Sequence, residues 1–374
     1  MKPLEGLTVV SLEQAVSAPF CTSRLADAGA TVIKIERPEG DFARGYDTAA
    51  NGESSYFVWL NRGKKSVILD LRKDEDKRSL RQLIGQADVF VQNLKPGAMD
   101  RLGMPIEKLH DEFPRVVFCS ITGYGEHGPL ANRKAYDLLV QAESGLASLT
   151  GTAEGMARVG ISVIDIATGA TAHAAILEAL LRRGRTGEGD IIDVAMFDVI
   201  ADWLTVPLLQ HEAGNTPRRI GLAHPSIAPY GAFRCQDGKE ILVAIQNDRE
   251  WVDFARQVLL RNELAEDARF ATNNARVGNR EDTDRCVAEV FAATDRAVLI
   301  ERLDRSQIAF AEINDMEALS RHPHLRRIVV ETAKGRQSYP APAAIFASEA
   351  RTFGPVPALG SHDLEVIEAR RRGE

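Results

Sequence analysis

Through the first half of the chain, short apolar, β-branched blocks alternate with amphipathic stretches. Leu7-Thr-Val-Val-Ser-Leu12 reads as a buried strand. A helical stretch carrying Phe20, Leu25 and Ala26 follows and stops at Ala28-Gly29, and Thr31-Val-Ile-Lys-Ile-Glu36 reads as a second strand. Strand, helix and strand within roughly thirty residues make a βαβ unit, which implies a parallel, right-handed crossover. The alternation continues with strands at Ser66–Leu71, Val89–Val91 and Val116–Ile121, and helices around Lys77–Ile84 and Ile106–Asp111. The pattern predicts a Rossmann-like doubly wound α/β sheet. After the first strand, however, the chain reads Glu13-Gln-Ala-Val-Ser-Ala-Pro19. The Gly-rich turn that cradles a dinucleotide pyrophosphate is missing, which argues against a nicotinamide or flavin dehydrogenase.

Two long helices are expected next, from about Asp165 to Arg183, ending at Gly184-Arg-Thr-Gly-Glu-Gly189, and from Met196 to Leu209, with the strand Asp190–Val194 between them. The stretch His211–Ala228 carries Gly214, Pro217, Gly221 and Pro225 and reads as a linker. Beyond it, Tyr230–Ile245 reads as a hairpin turning at Asp237-Gly238, with helices around Asp248–Leu260, Asp282–Ala293 and Asp295–Arg305. The Pro-rich stretch Tyr339–Pro357 reads as an extended segment that packs along another surface. These signals divide the chain into a large α/β domain (residues 1–210), a linker (211–228), a small α+β domain (229–322) and a C-terminal segment returning to the large domain (323–374).

Composition narrows the function. With 374 residues, 44% hydrophobic and 26% charged, the chain is long enough for two cores and ordinary for a globular enzyme. A formal net charge of −7 argues against a nucleic-acid binder, which needs surplus Lys and Arg to neutralise phosphates. The four cysteines form no CxxC pair, so no disulfide framework or structural zinc is expected and a reducing compartment fits. With no apolar signal core after Met1 and no long apolar run, the expectation is a cytoplasmic protein with no membrane partner.

Asp165 stands at the start of a predicted helix in Val159-Gly-Ile-Ser-Val-Ile-Asp-Ile-Ala-Thr-Gly169. There it can be an N-cap, accepting backbone N–H groups, or a covalent nucleophile toward an activated acyl group. Position alone leaves both open. Tyr136-Asp137, before the apolar Leu138–Gly145 stretch, reads as a second helix cap with Tyr136 partly buried. Arg37, Lys64, Lys65, Arg72, Arg101 and Lys134 fall in loops of the α/β region, where such sheets form their ligand crevice and where a polyphosphorylated ligand would need them. His322-Pro-His324 has metal-ligand residue types but no accompanying carboxylate or thiolate pattern, so no metal site is expected.

In order and spacing, these segments resemble the class III CoA-transferases, the CaiB/BaiF-like family. The resemblance runs through Gly6–Leu12, Ala18–Thr22, Leu25–Glu36, Asn61–Ser66, Ala87–Asn93 with Pro96-Gly97, Leu102-Gly103, Ser120-Ile-Thr-Gly-Tyr-Gly125, the Asp165 segment and Thr186–Gly189. It implies that Asp165 is the nucleophile, with Tyr56, Tyr136 and Asp137 as further active-site residues. It also implies a CoA site along Val16, Arg37, Leu69, Arg72, Asn93, Leu94, Lys95, Arg101 and Lys134. The implied reaction moves CoA from an acyl-CoA donor to a carboxylic acid, a small dicarboxylate being one choice, through an aspartyl anhydride and an aspartyl-CoA thioester. CoA enters as a substrate, no tightly bound cofactor is implied, and the assembly implied is a homodimer of interlocked rings. Oxyanion donors are expected at the start of the Asp165 helix or in a glycine loop, and Arg158 and Arg44 are the cations open to a second carboxylate. Against the formyl-CoA transferase branch, Val16 replaces a glutamine, Gln14 a histidine, and no glycine-rich loop occurs near His224–Tyr230, which disfavours formate and oxalate. The α-methylacyl-CoA racemases put a histidine where this chain has Tyr136, and a phenol with an ordinary pKa of about 10 is a poor base near neutrality. A racemase-like isomerase and a non-catalytic acyl-CoA binder are the alternatives.

Overall fold

In the computed structural model, which describes residues 2–363, the chain forms two compact units. One comprises the described residues up to Ala147, Arg158–Val206 and the described residues from Arg326 on; the other comprises Ser148–Ala157 and Pro207–Leu325. The expected C-terminal segment thus falls partly outside the description, at residues 364–374.

The first unit is built on six strands: β1 Thr8–Leu12, β2 Thr31–Glu36, β3 Lys65–Ile68, β4 Val89–Gln92, β5 Val117–Thr122 and β6 Ile191–Ala195. Their spatial order is 3-2-1-4-5-6, and every pairing is parallel. Side chains alternate across the sheet, so Val9, Val91, Val117 and Cys119 enter one core with Leu25, Ala172 and Ile176. Val10, Phe90 and Phe118 enter the other with Leu80, Leu83 and Leu109. Helices therefore cover both faces, which is why β1 and β5 are buried at every residue and read as continuous apolar runs. The order reverses between β1 and β4. In such sheets the crevice opens there, beyond the carboxyl ends of the strands.

At that end the Ser17–Asp27 and Val163–Thr186 helices pack together. Gly169 permits it: a Cβ there would sit 2.4 Å from the Ser17 carbonyl and 2.9 Å from Phe20 Cβ. The Val163–Thr186 helix is long and apolar enough by length and composition to cross a membrane, but Ala167, Ala172, Ile176 and Ala179 belong to this unit's core. The helix expected over Met196–Leu209 breaks at Leu204 into Met196–Trp203 and Thr205–Glu212. Pro207 has no N–H, and its ring clashes with the carbonyl four residues earlier, so it is tolerated only in the first turn of a new helix. The hairpin Arg327–Thr332 and Gly335–Pro340 and the segment after it return to this unit, where Gly63 N donates to Pro355 O at 2.8 Å and Val330 and Val356 cover Phe57 and Val58.

The second unit carries a three-stranded antiparallel sheet in which Glu240–Ala244 lies between Tyr230–Arg234 and Ala309–Glu312, the hairpin turning at Asp237-Gly238. Its core is Trp251, Phe254, Phe270, Phe291, Leu299 and Leu303. The helix expected over Asp248–Leu260 is α-helical only to Asp253 and widens to a π-turn over Phe254–Val258. The short hairpin Gly151–Met156 also belongs here, with Gly221 N donating to Gly151 O at 2.9 Å.

Candidate active site

Two adjacent cavities open at the carboxyl end of the first unit's sheet. A chamber of about 470 Å³ is lined by Gln14–Ser17 after β1, Asn93–Pro96 after β4, Thr122 and Gly123 after β5, Lys134–Leu138, and Arg158, Ser162 and Asp165. A groove of about 410 Å³ runs over the ends of β1, β2 and β3 past Arg37, Asp41, Leu69 and Arg72, and shares Gln14 and Leu94 with the chamber.

Local chemistry fixes the walls. Asn93 clamps the switch point: its Oδ1 accepts from Gln14 N at 2.9 Å, and its Nδ2 donates to Gln14 O at 2.9 Å. Next to it Ala15 adopts φ +63°, a left-handed conformation rare for a residue with a Cβ, and donates its N–H to Asp41 Oδ1 at 3.2 Å. Gly123 explains its motif after β5, because a Cβ there would sit 2.2 Å from Ala135 Cβ. That close approach brings Lys134–Asp137 to the strand ends.

Asp165 is not the N-cap the sequence suggests. Its helix starts at Val163, so Ser162 is the cap residue, with no side-chain cap bond, and Asp165 is the third helical residue. Capping comes from another helix. Asp137 Oδ1 accepts from Ile164 N at 2.8 Å and from Asp165 N at 3.1 Å, and its Oδ2 accepts from Gln141 Nε2 at 2.6 Å. Asp137 is therefore a buried acceptor that lines the chamber and holds the start of the Asp165 helix. The same bonds occupy the first N–H groups of the Asp165 helix, so the oxyanion donors expected there are already taken. Among the described residues the Asp165 carboxylate accepts no hydrogen bond. Burial, then the adjacent Asp137 charge, push its pKa up to about 7.

Aromatic rings line the same chamber. Tyr136 caps the Asp137–Glu143 helix by backbone only and is 59% exposed, against the expected partial burial. Tyr46, which sequence reasoning missed, packs edge-to-face on Tyr56 with ring centroids 5.4 Å apart. Its hydroxyl is pushed up to about 12 by burial first and then by Asp41, Asp165 and the neighbouring phenols, so it remains a donor. No signal marked it, since Phe42–Gly45 reads as loop until the short 3-10 turn is seen.

The basic residues divide. Lys95 and Lys134 line the chamber with no ion pair among the described residues, and Val16 and Leu94 form apolar wall. Arg37 lines the groove and donates to Gly40 O at 2.9 Å, and Arg72 lines it while paired to Asp70 at 2.7 Å. Arg101 lies on the surface, outside the lining of both cavities. Lys64 is a correction: it is buried, with Nζ 2.6 Å from Glu13 Oε1. Burial outweighs the charge of Glu13 and draws Lys64 down to about 8. Lys34, equally buried, bridges Asp41 at 2.8 Å and Glu13 at 3.5 Å. Arg44 is likewise committed, to Glu36 at 2.7 Å and over the Phe57 ring at 3.7 Å, so of the two cations read as open to a second carboxylate only Arg158 remains. His322 and His324 sit in an exposed loop, and among the described residues no group of three His, Cys, Asp or Glu could hold a metal.

Known proteins resemble this chain over nearly its whole length. The family model described as CoA-transferase family III matches residues 4–363. The chain is 35% identical over 381 residues to succinyl-CoA:glutarate CoA-transferase of Mus musculus, covering 98% of this chain and 86% of the relative. It is 36% identical over 325 residues to acetyl-CoA:oxalate CoA-transferase of Acetobacter aceti, covering 86% and 83%. The crystal structure of a CAIB/BAIF family protein from Brucella suis superposes with a TM-score of 0.83 at 34% identity, covering 99% of each chain.

Proposed function

From the premise that this chain belongs to CoA-transferase family III and is a CoA-transferase, we propose that Asp165 is the carboxylate that carries first the acyl group and then the CoA. The observation behind this reading is the state of Asp165: partly buried, unbonded, and set in the chamber where the sheet order reverses. Asp165 Oδ attacks the donor thioester carbonyl, and the C–S bond breaks with departure of CoA thiolate, leaving a mixed anhydride. The thiolate attacks the Asp165 carbonyl carbon and expels the donor acid, giving an aspartyl-CoA thioester. The acceptor carboxylate attacks that thioester, regenerating an anhydride and free thiolate. The thiolate then attacks the acceptor's carbonyl, which releases the new acyl-CoA and restores Asp165. Val16 and Ser17 line the chamber at the start of the uncapped Ser17–Asp27 helix, whose first N–H groups lack intrahelical partners; they supply the oxyanion donors.

The groove over β1–β3 takes the nucleotide end of CoA, with Arg37 and Arg72 beside its phosphates, and the pantetheine arm passes Gln14 and Leu94 to reach Asp165. The acceptor is a small dicarboxylate whose second carboxylate meets Arg158, which spends one N–H on Gly160 O and forms no ion pair among the described residues. The working unit is a homodimer of interlocked chains, a reading supported by the exposed Leu138, Leu139, Leu181 and Trp203. The isomerase alternative lacks its histidine: among the described residues none lines the chamber, and Tyr136 stands at the position in question. Incubation with an acyl-CoA followed by hydroxylamine tests the reading by peptide mass. Modification of Asp165 alone supports it; an unmodified Asp165 in enzyme that turns over refutes it.

A further inference from the structure

Gln141 is fully buried one turn below Asp137, and both ends of its amide are used. Nε2 donates to Asp137 Oδ2 at 2.6 Å and, more weakly, to Ile161 O at 3.5 Å, while Oε1 accepts from Val159 N at 2.9 Å. A buried amide engaged this way fixes what it holds, because releasing it strands polar groups away from water. It holds two things the proposed reaction uses: the carboxylate beside Asp165, and the backbone next to Arg158.

Every group presented to Asp137 is a donor, namely the Ile164 and Asp165 N–H groups and the Gln141 amide. An ionised carboxylate only accepts, whereas a protonated one must also donate. Three donors therefore hold Asp137 in place, while the Asp165 carboxylate beside it accepts no bond among the described residues. We propose that Gln141 is a positioning residue that locks Asp137 as a charged acceptor beside the nucleophile and anchors the segment bearing Arg158. The proposal rests on the transferase reading above. Without the amide, one Asp137 oxygen is released and its charge is no longer fixed beside Asp165, so Asp165 ionises at lower pH. The other titratable and charged groups lining the chamber are Lys95, Arg133, Lys134, Arg158, Tyr46, Tyr56 and Tyr136, and of these only Arg158 and Tyr136 adjoin residues that Gln141 holds.

Gln141→Met keeps the length of the side chain and removes both bonds; Gln141→Asn keeps the amide but cannot span both partners, and serves if the Met variant does not fold. The rate of Asp165 acylation by an acyl-CoA, followed by mass across the pH range, is the readout. The acid limb is expected to move down by about one pH unit, the worth of one hydrogen bond to an anion. KM for a dicarboxylate acceptor is expected to rise several-fold more than KM for a monocarboxylate. A purely structural role would lower the amplitude at every pH and leave the limb in place, and that result overturns the proposal. If wild-type Asp165 is never acylated, the transferase mechanism falls and this inference with it; if it is acylated and the limb does not move in either variant, only this inference falls.

Discussion

Replacing Asp165 by Asn should abolish transfer and, at alkaline pH, make the protein more stable. Folding raises the pKa of this carboxyl from 3.8 to about 7, through burial first and the Asp137 charge second. A carboxyl that binds its proton more tightly when folded contributes no penalty below the unfolded pKa. The penalty then grows as pH rises from about 4 to about 7 and stays constant above that. About three units at roughly 1.4 kcal/mol each set a ceiling near 4 kcal/mol. Water at the chamber mouth screens part of it, so about 2 kcal/mol is the working figure. Asparagine is nearly the same shape and carries no charge, so it removes this penalty, which corresponds to a rise in Tm of about 2–3 °C near pH 8. Near pH 4 the difference should vanish, because the wild-type carboxyl is then protonated in the folded state. Thermal unfolding of both proteins across that pH range, beside a transfer assay, gives the answer. An Asn variant that is no more stable than wild type near pH 8, or a stability difference that ignores pH, would refute the electrostatic reasoning. Retained transfer, in protein checked for deamidation, would refute the chemistry.

Asp137→Asn removes the neighbouring charge but leaves burial in place, so the acid limb of kcat/KM should fall below about 7 without reaching the ordinary carboxylate range; a limb moving upward contradicts the assignment. Gly169→Ala drives a methyl into the Ser17 carbonyl and should cost about 1–3 kcal/mol in denaturant unfolding, with a larger loss in kcat than in CoA binding; a neutral substitution would show that the two helices can separate freely. Arg158→Ala should raise KM for dicarboxylates tenfold or more and leave the first half-reaction with the acyl-CoA donor nearly unchanged; equal losses in both half-reactions would move Arg158 out of the acceptor site. In wild type, acylation of Asp165 should rise with pH through about 7 and level off, being about tenfold slower one unit below; a flat profile would mean that another group limits the step.

The sheet was legible because its strands are buried on both faces, so that Val9-Val10, Phe90-Val91 and Phe118-Cys119 appear as apolar runs between helical periods. The break at Leu204 was missed: one helix was expected from Met196 to Leu209, although Pro207 lies within it. Charges were harder. Lys64 looks like any loop lysine until the fold brings Glu13, 51 residues away, to its Nζ, and Lys34 looks like the polar face of an alternating strand. Pattern reports the period of a strand but not whether its polar face meets water or a buried partner. The chamber was legible only in part. Loops after β1, β4 and β5 were expected to meet, but Tyr46 comes from a stretch without periodicity, and Arg101 and Arg44 look from sequence no different from the basic residues that do line the cavities.

The two readings of Asp165, helix cap and nucleophile, compete for the same lone pairs. A carboxylate that caps its own helix accepts backbone N–H groups, is held below the usual carboxylate range, and has little electron density left for attack. Under the proposed mechanism this chain separates the tasks. Asp137, 28 residues away in sequence, accepts from the helix start, and Asp165 stands two positions past the first helical residue with no bond drawn on its oxygens. That division accounts for two carboxylates where a cap alone needs one. It also accounts for the raised pKa, since the capping charge lies beside Asp165. An Asp165 ionised near neutrality with unbonded oxygens is more nucleophilic than a capped one, and its instability is relieved once an acyl group neutralises the charge. Ground-state electrostatic strain of this kind serves a nucleophile and has no use in a structural cap.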